Sequence, residues 1–256
     1  MSEVPTSSRR KPALPPDAKL EQLIHDPDAD ILIAVAGDVR LTEDLALAFL
    51  ERRDLPPQSL EELARHPMVA KIRKVRIALV THPRTPRHVS VPAIRQLYPF
   101  ELMEIALMPV VAADVKRAAE EGIIARLATV SSGERFTLAK RSSGRVAAAL
   151  LHDKEERILA AALLNPQMIE AHVVKALKAE AGTELLAPLV AKHPKWSFRN
   201  DVRAALLANR NTPFAAVVKI AAELPLAQLK DVLRSARLPA NVKSYMAGMV
   251  AKRSGG

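Results

Sequence analysis

The chain of 256 residues contains no cysteine. Disulfide bonds, thiolate metal sites and cysteine nucleophiles are therefore excluded. Aromatic residues make up only 3% of the sequence, whereas alanine, leucine and valine are abundant. This composition favours small, closely packed helices over a sheet, which prefers β-branched and aromatic residues.

Long apolar runs are also missing. The longest, such as Ile31–Ala36, are far shorter than the roughly 20 apolar residues that a transmembrane helix needs. Residues 1–16 are basic and contain no apolar stretch of the signal-peptide type. From these absences we expect no membrane association and a cytoplasmic location. We also expect a disordered tail over 1–16 and a flexible C-terminus over 254–256.

The net charge of +10 is unevenly distributed along the chain. Residues 1–127 contain 18 lysine and arginine residues and 18 aspartate and glutamate residues, so their charges balance. Residues 128–256 contain 20 basic and 10 acidic residues and carry the whole excess. This asymmetry indicates an acidic partner for the second half, either nucleic acid or a negatively charged protein surface.

The sequence matches itself without a gap when it is shifted by 127 residues. Residues 23–126 and 150–253 share 24 identities over 104 positions. Chance would give about eight in a chain of this composition. The match predicts two tandem copies of a 127-residue unit, with halves over 17–127 and 128–253. Spacings of 41 and 44 residues inside the copies predict paired-helix units of about 42 residues, three to a copy.

Two kinds of helix start are visible in the sequence. Thr85-Pro86 and Thr212-Pro213 each place a capping hydroxyl directly before a proline, a residue that fits the first helical position. Ser59 with Glu62, and Ser131 with Glu134, have the spacing of a capping box. No stretch alternates with period two for long enough to predict a strand. The predicted fold class is all-α.

Several segments resemble the repeats of HEAT-like proteins, especially those of the leucine-rich-repeat-variant branch. The repeat pattern is seen in Val202–Asn209 followed by Thr212-Pro213, in Val75–Pro86 and in His25–Ala36. The resemblance covers most of residues 17–253 and implies a right-handed α-solenoid. Members of this class mostly act as binding surfaces and scaffolds, and a minority hold DNA in a concave basic groove.

The chain departs from this family pattern in two respects. Leu32 and Leu159 stand where the repeat usually has arginine, and the last third of each copy diverges most. Some members carry an iron–sulfur cluster, which cannot be carried over to a chain without cysteine.

The basic residues of the last third of the chain are the candidate binding residues. Residues 192–253 contain twelve lysine and arginine residues and only three acidic ones. Six of the basic residues form two groups, one at a predicted turn and one on a predicted helix face: Lys192, Lys195 and Arg199, and Lys230, Arg234 and Arg237. Such residues could neutralise phosphates, or they could form a solvated face that keeps the protein soluble. Trp196 and Phe198, beside the first group, could stack on bases, but they fit the core between repeats better.

Other recurring polar residues are interpreted as structural. His25, His66, His152 and His193 stand at turns, where they can satisfy backbone groups at helix ends. Asp26 and Asp153 are expected to act as caps. Arg76 and Arg203 are expected to bond internally to carbonyls or a carboxylate, and His82 and His88 to lie on the surface. No metal site, cofactor or small-molecule substrate is predicted.

These observations favour a non-catalytic helical-repeat protein that serves as an interaction scaffold for a protein with an acidic surface. The alternative is a nucleic-acid-binding module that uses the basic second half. A DNA-glycosylase-like enzyme is a weaker hypothesis. It would need a carboxylate and aromatic residues facing DNA, and Asp201 with Trp196 is the only nearby pair.

Overall fold

The computed structural model describes residues 14–179, 183–235 and 238–254. This part of the chain folds into helices joined by connections and contains no β-strand, which confirms the predicted all-α class. The chain divides into two compact units, Met1–Ile123 (unit 1) and Ile124–Gly256 (unit 2). The two halves predicted from the duplication, 17–127 and 128–253, remain a prediction.

The predicted terminal segments fall mostly outside the described residues. Residues 1–13 of the expected N-terminal tail and residues 255–256 of the expected flexible end are not among them. The end of the expected tail is bound to the fold, since Arg40 donates a hydrogen bond to the Pro16 carbonyl at 2.6 Å.

Unit 1 consists of short helices. They are α1 (Leu20–Leu23), α2 (Ala29–Ala36), α3 (Glu43–Glu51), α4 (Pro57–Arg65), α5 (Arg73–Thr81), α6 (Arg87–Ile94), α7 (Pro99–Leu107) and α8 (Ala113–Ile124), with a 3₁₀ turn at Val69–Lys71. Phe49, Leu60 and Leu63 are fully buried in the core of this unit.

Unit 2 also consists mainly of short helices. Its helices are α9 (Ser132–Arg141), α10 (Gly144–Ala149), α11 (Glu156–Leu163), α12 (Glu170–Lys178), α13 (Leu186–Lys192), α14 (Asn200–Ala208), α15 (Phe214–Glu223), α16 (Leu226–Ser235) and α17 (Ala240–Ser254), with a 3₁₀ turn at Leu150–His152. Apolar residues at helical spacing face the core, as Val202, Ala205 and Leu206 do in α14.

One of the two predicted capping boxes is present. Ser131 is the N-cap of α9, and Glu134 Oε2 accepts a hydrogen bond from the Ser131 backbone N–H at 2.8 Å, which confirms that prediction. The box predicted at Ser59 is wrong. Pro57 already starts α4, so Ser59 lies inside the helix and its hydroxyl donates to the Pro56 carbonyl.

The two predicted threonine caps are also wrong. Thr85 and Thr212 donate their hydroxyls at 2.6 Å to the carbonyls of Leu79 and Leu206, in the last turns of the preceding helices. The prolines that follow them are the N-caps of α6 and α15, which receive no side-chain cap. Each hydroxyl therefore pairs a carbonyl at the end of the preceding helix, where the helix itself provides no N–H partner.

Helices within each unit contact the next-but-one helix along the chain. In unit 1, α2 packs against α4, α3 against α5, and α5 against α7. In unit 2 the same pattern joins α9 to α11 and α11 to α13 in one row, and α10 to α12, α12 to α14 and α14 to α16 in the other. Alternate helices therefore form two rows, and each connection passes from one row to the other.

Helix positions in unit 2 repeat those in unit 1 at the shift found in the sequence. Of the seven helices α2 to α8, all but α4 start 127 residues before their counterparts among α11 to α17. The counterpart of α4 is α13, which starts at residue 186, two residues later than that shift would place it. The helices of one row start about 28 residues apart, so the predicted 42-residue unit spans three helices and is wrong as a helix pair. The turns that suggested it lie in connections that pass between the two rows in opposite directions.

Side chains in the connections of unit 1 bond to the backbone of the connection two before them along the chain. His66 Nε2 lies 2.9 Å from the Asp38 carbonyl oxygen, and His82 Nε2 lies 2.6 Å from that of Arg52. Arg52 in turn donates to the Ile24 carbonyl at 2.9 Å. The partners are 28 to 30 residues apart. These hydrogen bonds link the ends of successive helix pairs, which pack side by side.

Unit 2 is joined in the same way by different side chains. Asn165 Nδ2 donates to the Ala139 and Ser142 carbonyls at 2.9 and 3.0 Å. Trp196 Nε1 donates to the Leu163 carbonyl at 2.9 Å, and Asn209 Nδ2 to that of Leu177 at 2.7 Å. Because each group is buried or half-buried, an unmade bond would leave a desolvated polar atom.

The same side chains also hold their own turns. The Nδ1 atoms of His66 and His82 accept the N–H two residues further on, at 3.2 Å. Asn165 Oδ1 and Asn209 Oδ1 do the same at 2.8 Å. His66 therefore has the structural role predicted for it. His82 is buried, so the prediction that it lies on the surface is wrong.

Acidification should lower the stability of unit 1, because His82 becomes protonated. Its Nδ1 accepts the Arg84 N–H, so protonation there breaks the turn, and burial already holds the pKa of His82 below its ordinary value of about 6.5. The unfolded chain then binds a proton that the folded chain does not. The stabilisation is complete above about pH 6.5 and is lost as the pH falls below it.

We expect the free energy of unfolding, measured by urea titration, to fall less between about pH 7.5 and about pH 5.5 in His82→Asn than in the wild type. Asparagine is the suitable replacement because Asn209 makes the equivalent bonds in unit 2. An unchanged pH dependence in the variant would contradict this role.

Candidate binding surface

Five of the six predicted binding residues lie within the described chain. Lys192 ends α13, Lys195 lies in the connection that follows it, and Arg199 is the N-cap of α14. All three are exposed. On α16, Lys230 is half-buried and Arg234 is exposed. Arg237 lies outside the described residues.

The first group of three lies in and directly before one connection, residues 193–199. Lys230 and Arg234 lie on α16, which packs against α14. Across residues 14–179, 183–235 and 238–254, none of the five has a carboxylate within ion-pair distance. Lys195 instead places its Nζ 4.2 Å from the centroid of the Trp196 ring.

The two aromatic residues of this connection have opposite environments. The Trp196 side chain is 1% exposed, which confirms the prediction that it fills the core. Phe198 is 65% exposed, so the same prediction for Phe198 is wrong. The Arg203 guanidinium lies 5.7 Å from the centroid of the Phe198 ring. The indole N–H of Trp196 donates to the carbonyl of Leu163 at the end of α11, a bond that a phenylalanine cannot make.

The recurring arginines act internally, as predicted. Arg203 Nε donates to the Ser197 carbonyl at 2.9 Å, and its guanidinium pairs with Glu223. Arg76 donates to the Ala70 carbonyl at 3.3 Å. Both arginines therefore close the connection that precedes their own helix, α5 or α14.

The recurring histidines do not converge on one point. His193 Nδ1 accepts the Lys195 N–H at 3.1 Å, and burial together with the Lys195 charge lowers the pKa of His193. His25 and His152 are exposed. His88 is exposed as predicted, with Nε2 3.3 Å from Glu61 Oε1. Among the residues that the structure describes, no group of three or more potential ligands could hold a metal ion.

The prediction that Asp26 and Asp153 cap helices is wrong, because each bonds within the turn that precedes the N-cap. Asp26 Oδ1 accepts the Asp28 N–H at 2.8 Å, and Asp153 Oδ1 accepts the Glu155 N–H at 3.0 Å. The N-caps of α2 and α11 are Asp28 and Glu155 themselves. Each aspartate therefore folds the turn that leads into the cap.

A second connection, residues 164–169 between α11 and α12, completes the surface. Leu164 is 69% exposed and Ile169 is 54% exposed. The hydrogen bond from Trp196 to the carbonyl of Leu163 places this connection beside residues 193–199. We name the exposed residues of these two neighbouring connections the edge strip: Leu164, Ile169 and Phe198 together with Lys192, Lys195 and Arg199.

Sequence reasoning missed the apolar part of the edge strip, although a signal was present. At the 127-residue shift, Leu164, Ile169 and Phe198 align with Gly37, Thr42 and Lys71. At these three positions the first copy has small or polar residues and the second has large apolar ones, whereas the exposed apolar residues of the same connections in unit 1 are Val39 and Met68. A comparison of the differences between the copies, besides their identities, would have revealed this feature.

Comparison of the chain with models of protein families, with curated proteins and with solved structures gave no match. The resemblance to HEAT-like repeats therefore remains a prediction. In the described portion of the chain, no helix is both long enough and apolar enough to cross a bilayer.

Tryptophan fluorescence can test the placement of the two aromatic residues, because Trp196 is the only tryptophan. We expect its emission to be blue-shifted and poorly quenched by acrylamide. The variant Phe198→Trp, which keeps Trp196 and its bond to Leu163, should add emission at longer wavelength that acrylamide quenches several-fold more, at unchanged helix content by circular dichroism. Equal quenching of the two proteins would contradict the described environments.

Proposed function

We propose that this chain is a non-catalytic helical-repeat protein that binds a protein partner with an acidic surface through unit 2. In this proposal the two units are tandem copies of one 127-residue arrangement, and each is an α-solenoid of the HEAT-like kind, for which the resemblance implies a right-handed sense. The matching helix starts and the next-but-one packing of helices support it.

The observation that carries the proposal is the unneutralised positive charge of unit 2. Unit 1 pairs several of its basic side chains with carboxylates, as in Arg52–Asp54, Lys74–Glu43 and Arg87–Asp114. In unit 2, the candidate residues on α13, α14 and α16 have no such partner among the described residues. Free cations on a surface attract an acidic partner and speed its association.

The apolar residues of the edge strip favour a protein over nucleic acid. Phosphate contacts need cations and hydrogen-bond donors, and they give aliphatic side chains such as Leu164 and Ile169 no role. Protein interfaces combine a buried apolar centre with a charged or polar rim. Exposed aliphatic residues beside Lys195 and Arg199 fit that combination.

Nucleic acid is the second candidate, and α16 is the observation that favours it. Lys230 and Arg234 are four residues apart on this helix and share a face. Base excision has less support. In the only candidate pair, Asp201 is exposed but Trp196 is buried, so the ring is not available to a flipped base.

Two probes separate the candidates in a fluorescence-anisotropy titration of the full chain. One is a labelled peptide of alternating glutamate and leucine, and the other is a labelled DNA duplex. We expect the peptide to bind at low salt and to keep most of its affinity at about 150 mM salt. Any duplex binding should fall about a hundredfold over the same range, because a duplex relies on cations alone.

The matched control replaces every glutamate of the peptide with glutamine and should not bind, since the cations then have no partner. Duplex binding that is lost in the double variant Lys230→Glu, Arg234→Glu, together with no peptide binding at low salt, would overturn the proposal in favour of nucleic acid.

A further inference from the structure

The edge strip contains more exposed apolar surface than its fold requires. Leu164, Ile169 and Phe198 are all more than half exposed. In unit 1, the aligned residues Gly37, Thr42 and Lys71 occupy connections that start and end helices at corresponding places. Folding of the connection therefore does not depend on large apolar residues at these positions. Apolar residues that folding does not require, beside free charges, are typical of an interaction site.

The connections that carry these residues are held in place. Asn165 makes three hydrogen bonds to backbone atoms, and Met168, between the two exposed residues of its connection, is buried. Trp196 is anchored to the carbonyl of Leu163. The neighbouring apolar side chains cannot fold back into the core, because Met168 and Trp196 already fill it there. The surface is therefore preformed for a ligand.

We propose that the edge strip binds an extended peptide segment of the acidic partner, with aliphatic side chains alternating with acidic ones. This inference rests on the proposed function and specifies the partner's chemistry. Neighbouring helices pack about 8–10 Å apart, so the two connections lie about that far from each other. An extended chain advances about 3.3 Å per residue and presents alternate side chains to opposite sides.

A segment of about five residues therefore spans the strip. The aliphatic residues on one side of the segment cover Leu164, Ile169 and Phe198. The acidic residues between them point to the other side of the segment, where the long side chains of Lys192 and Arg199, at the two ends of the 193–199 connection, extend around its edge to meet them. Charge complementarity requires a negatively charged partner. The apolar residues of the strip favour segments that contain aliphatic residues over purely acidic ones.

The test uses the full chain and two peptides of equal length, one alternating glutamate with leucine and the other alternating glutamate with serine. The wild type should bind the glutamate–leucine peptide at least about tenfold more tightly. The double variant Ile169→Ser, Phe198→Ser should remove that difference and leave the affinity for the glutamate–serine peptide unchanged. The matched control Phe136→Ser, at an exposed position on α9 outside the strip, should bind like the wild type.

Charge variants test the other half of the strip. The triple variant Lys192→Glu, Lys195→Glu, Arg199→Glu should weaken binding of the glutamate–leucine peptide by about a hundredfold. The control Lys219→Glu, Lys243→Glu, Lys252→Glu, at exposed residues of α15 and α17, has the same net charge and should weaken it only a few-fold.

Two results would overturn the role of the edge strip while the proposed function stands. One is an equal loss of peptide affinity in the two triple variants, and the other is no loss of affinity for the glutamate–leucine peptide in the Ile169 and Phe198 variant. Absence of binding by both peptides to the wild type at low salt would instead overturn the proposed function. If Phe198→Ser lowers the unfolding midpoint, Ile169→Thr alone keeps the test valid, because threonine stands at the aligned position 42.

Discussion

The fold depends on hydrogen bonds that run from the side chain of one turn to the backbone near the turn two connections earlier. Most helices of this chain have only six to ten residues, and isolated helices of that length are marginal in water. They become stable when neighbouring helices cover their apolar faces and when the backbone groups at their ends are satisfied. Asn165, His82 and Trp196 each meet the second requirement with a group that also fixes the next helix pair.

This arrangement separates the positions that hold the fold from those that are free to vary. The joining side chain differs between turns, since histidine, asparagine and tryptophan all serve, but the bond to a carbonyl is kept. Residues directly beside the joining positions, such as Leu164 and Lys195, are exposed. Unit 2 has apolar and basic residues at such positions, and we infer that binding is located there because the fold does not depend on them.

The sequence predicted features that are decided locally and missed those decided by distant residues. The all-α class and the capping box at Ser131 depend on residues within a few positions of each other. The burial of His82 depends on the carbonyl of Arg52, 30 residues earlier, and the inward turn of Trp196 depends on Leu163. A sequence window around Trp196 and Phe198 cannot show which of them meets that carbonyl. The basic candidates were identifiable from charge alone, whereas their apolar neighbours needed the comparison of the two copies.

The most direct test of the joining bonds is the free energy of unfolding of Asn165→Ala, measured by urea titration against the exposed control Asn241→Ala. The alanine at 165 leaves the buried carbonyls of Ala139 and Ser142 and the N–H of Gln167 without their partner. We expect a loss of about 2–5 kcal/mol for Asn165→Ala and less than about 0.5 kcal/mol for the control. A loss at position 165 no larger than that of the control would contradict the account.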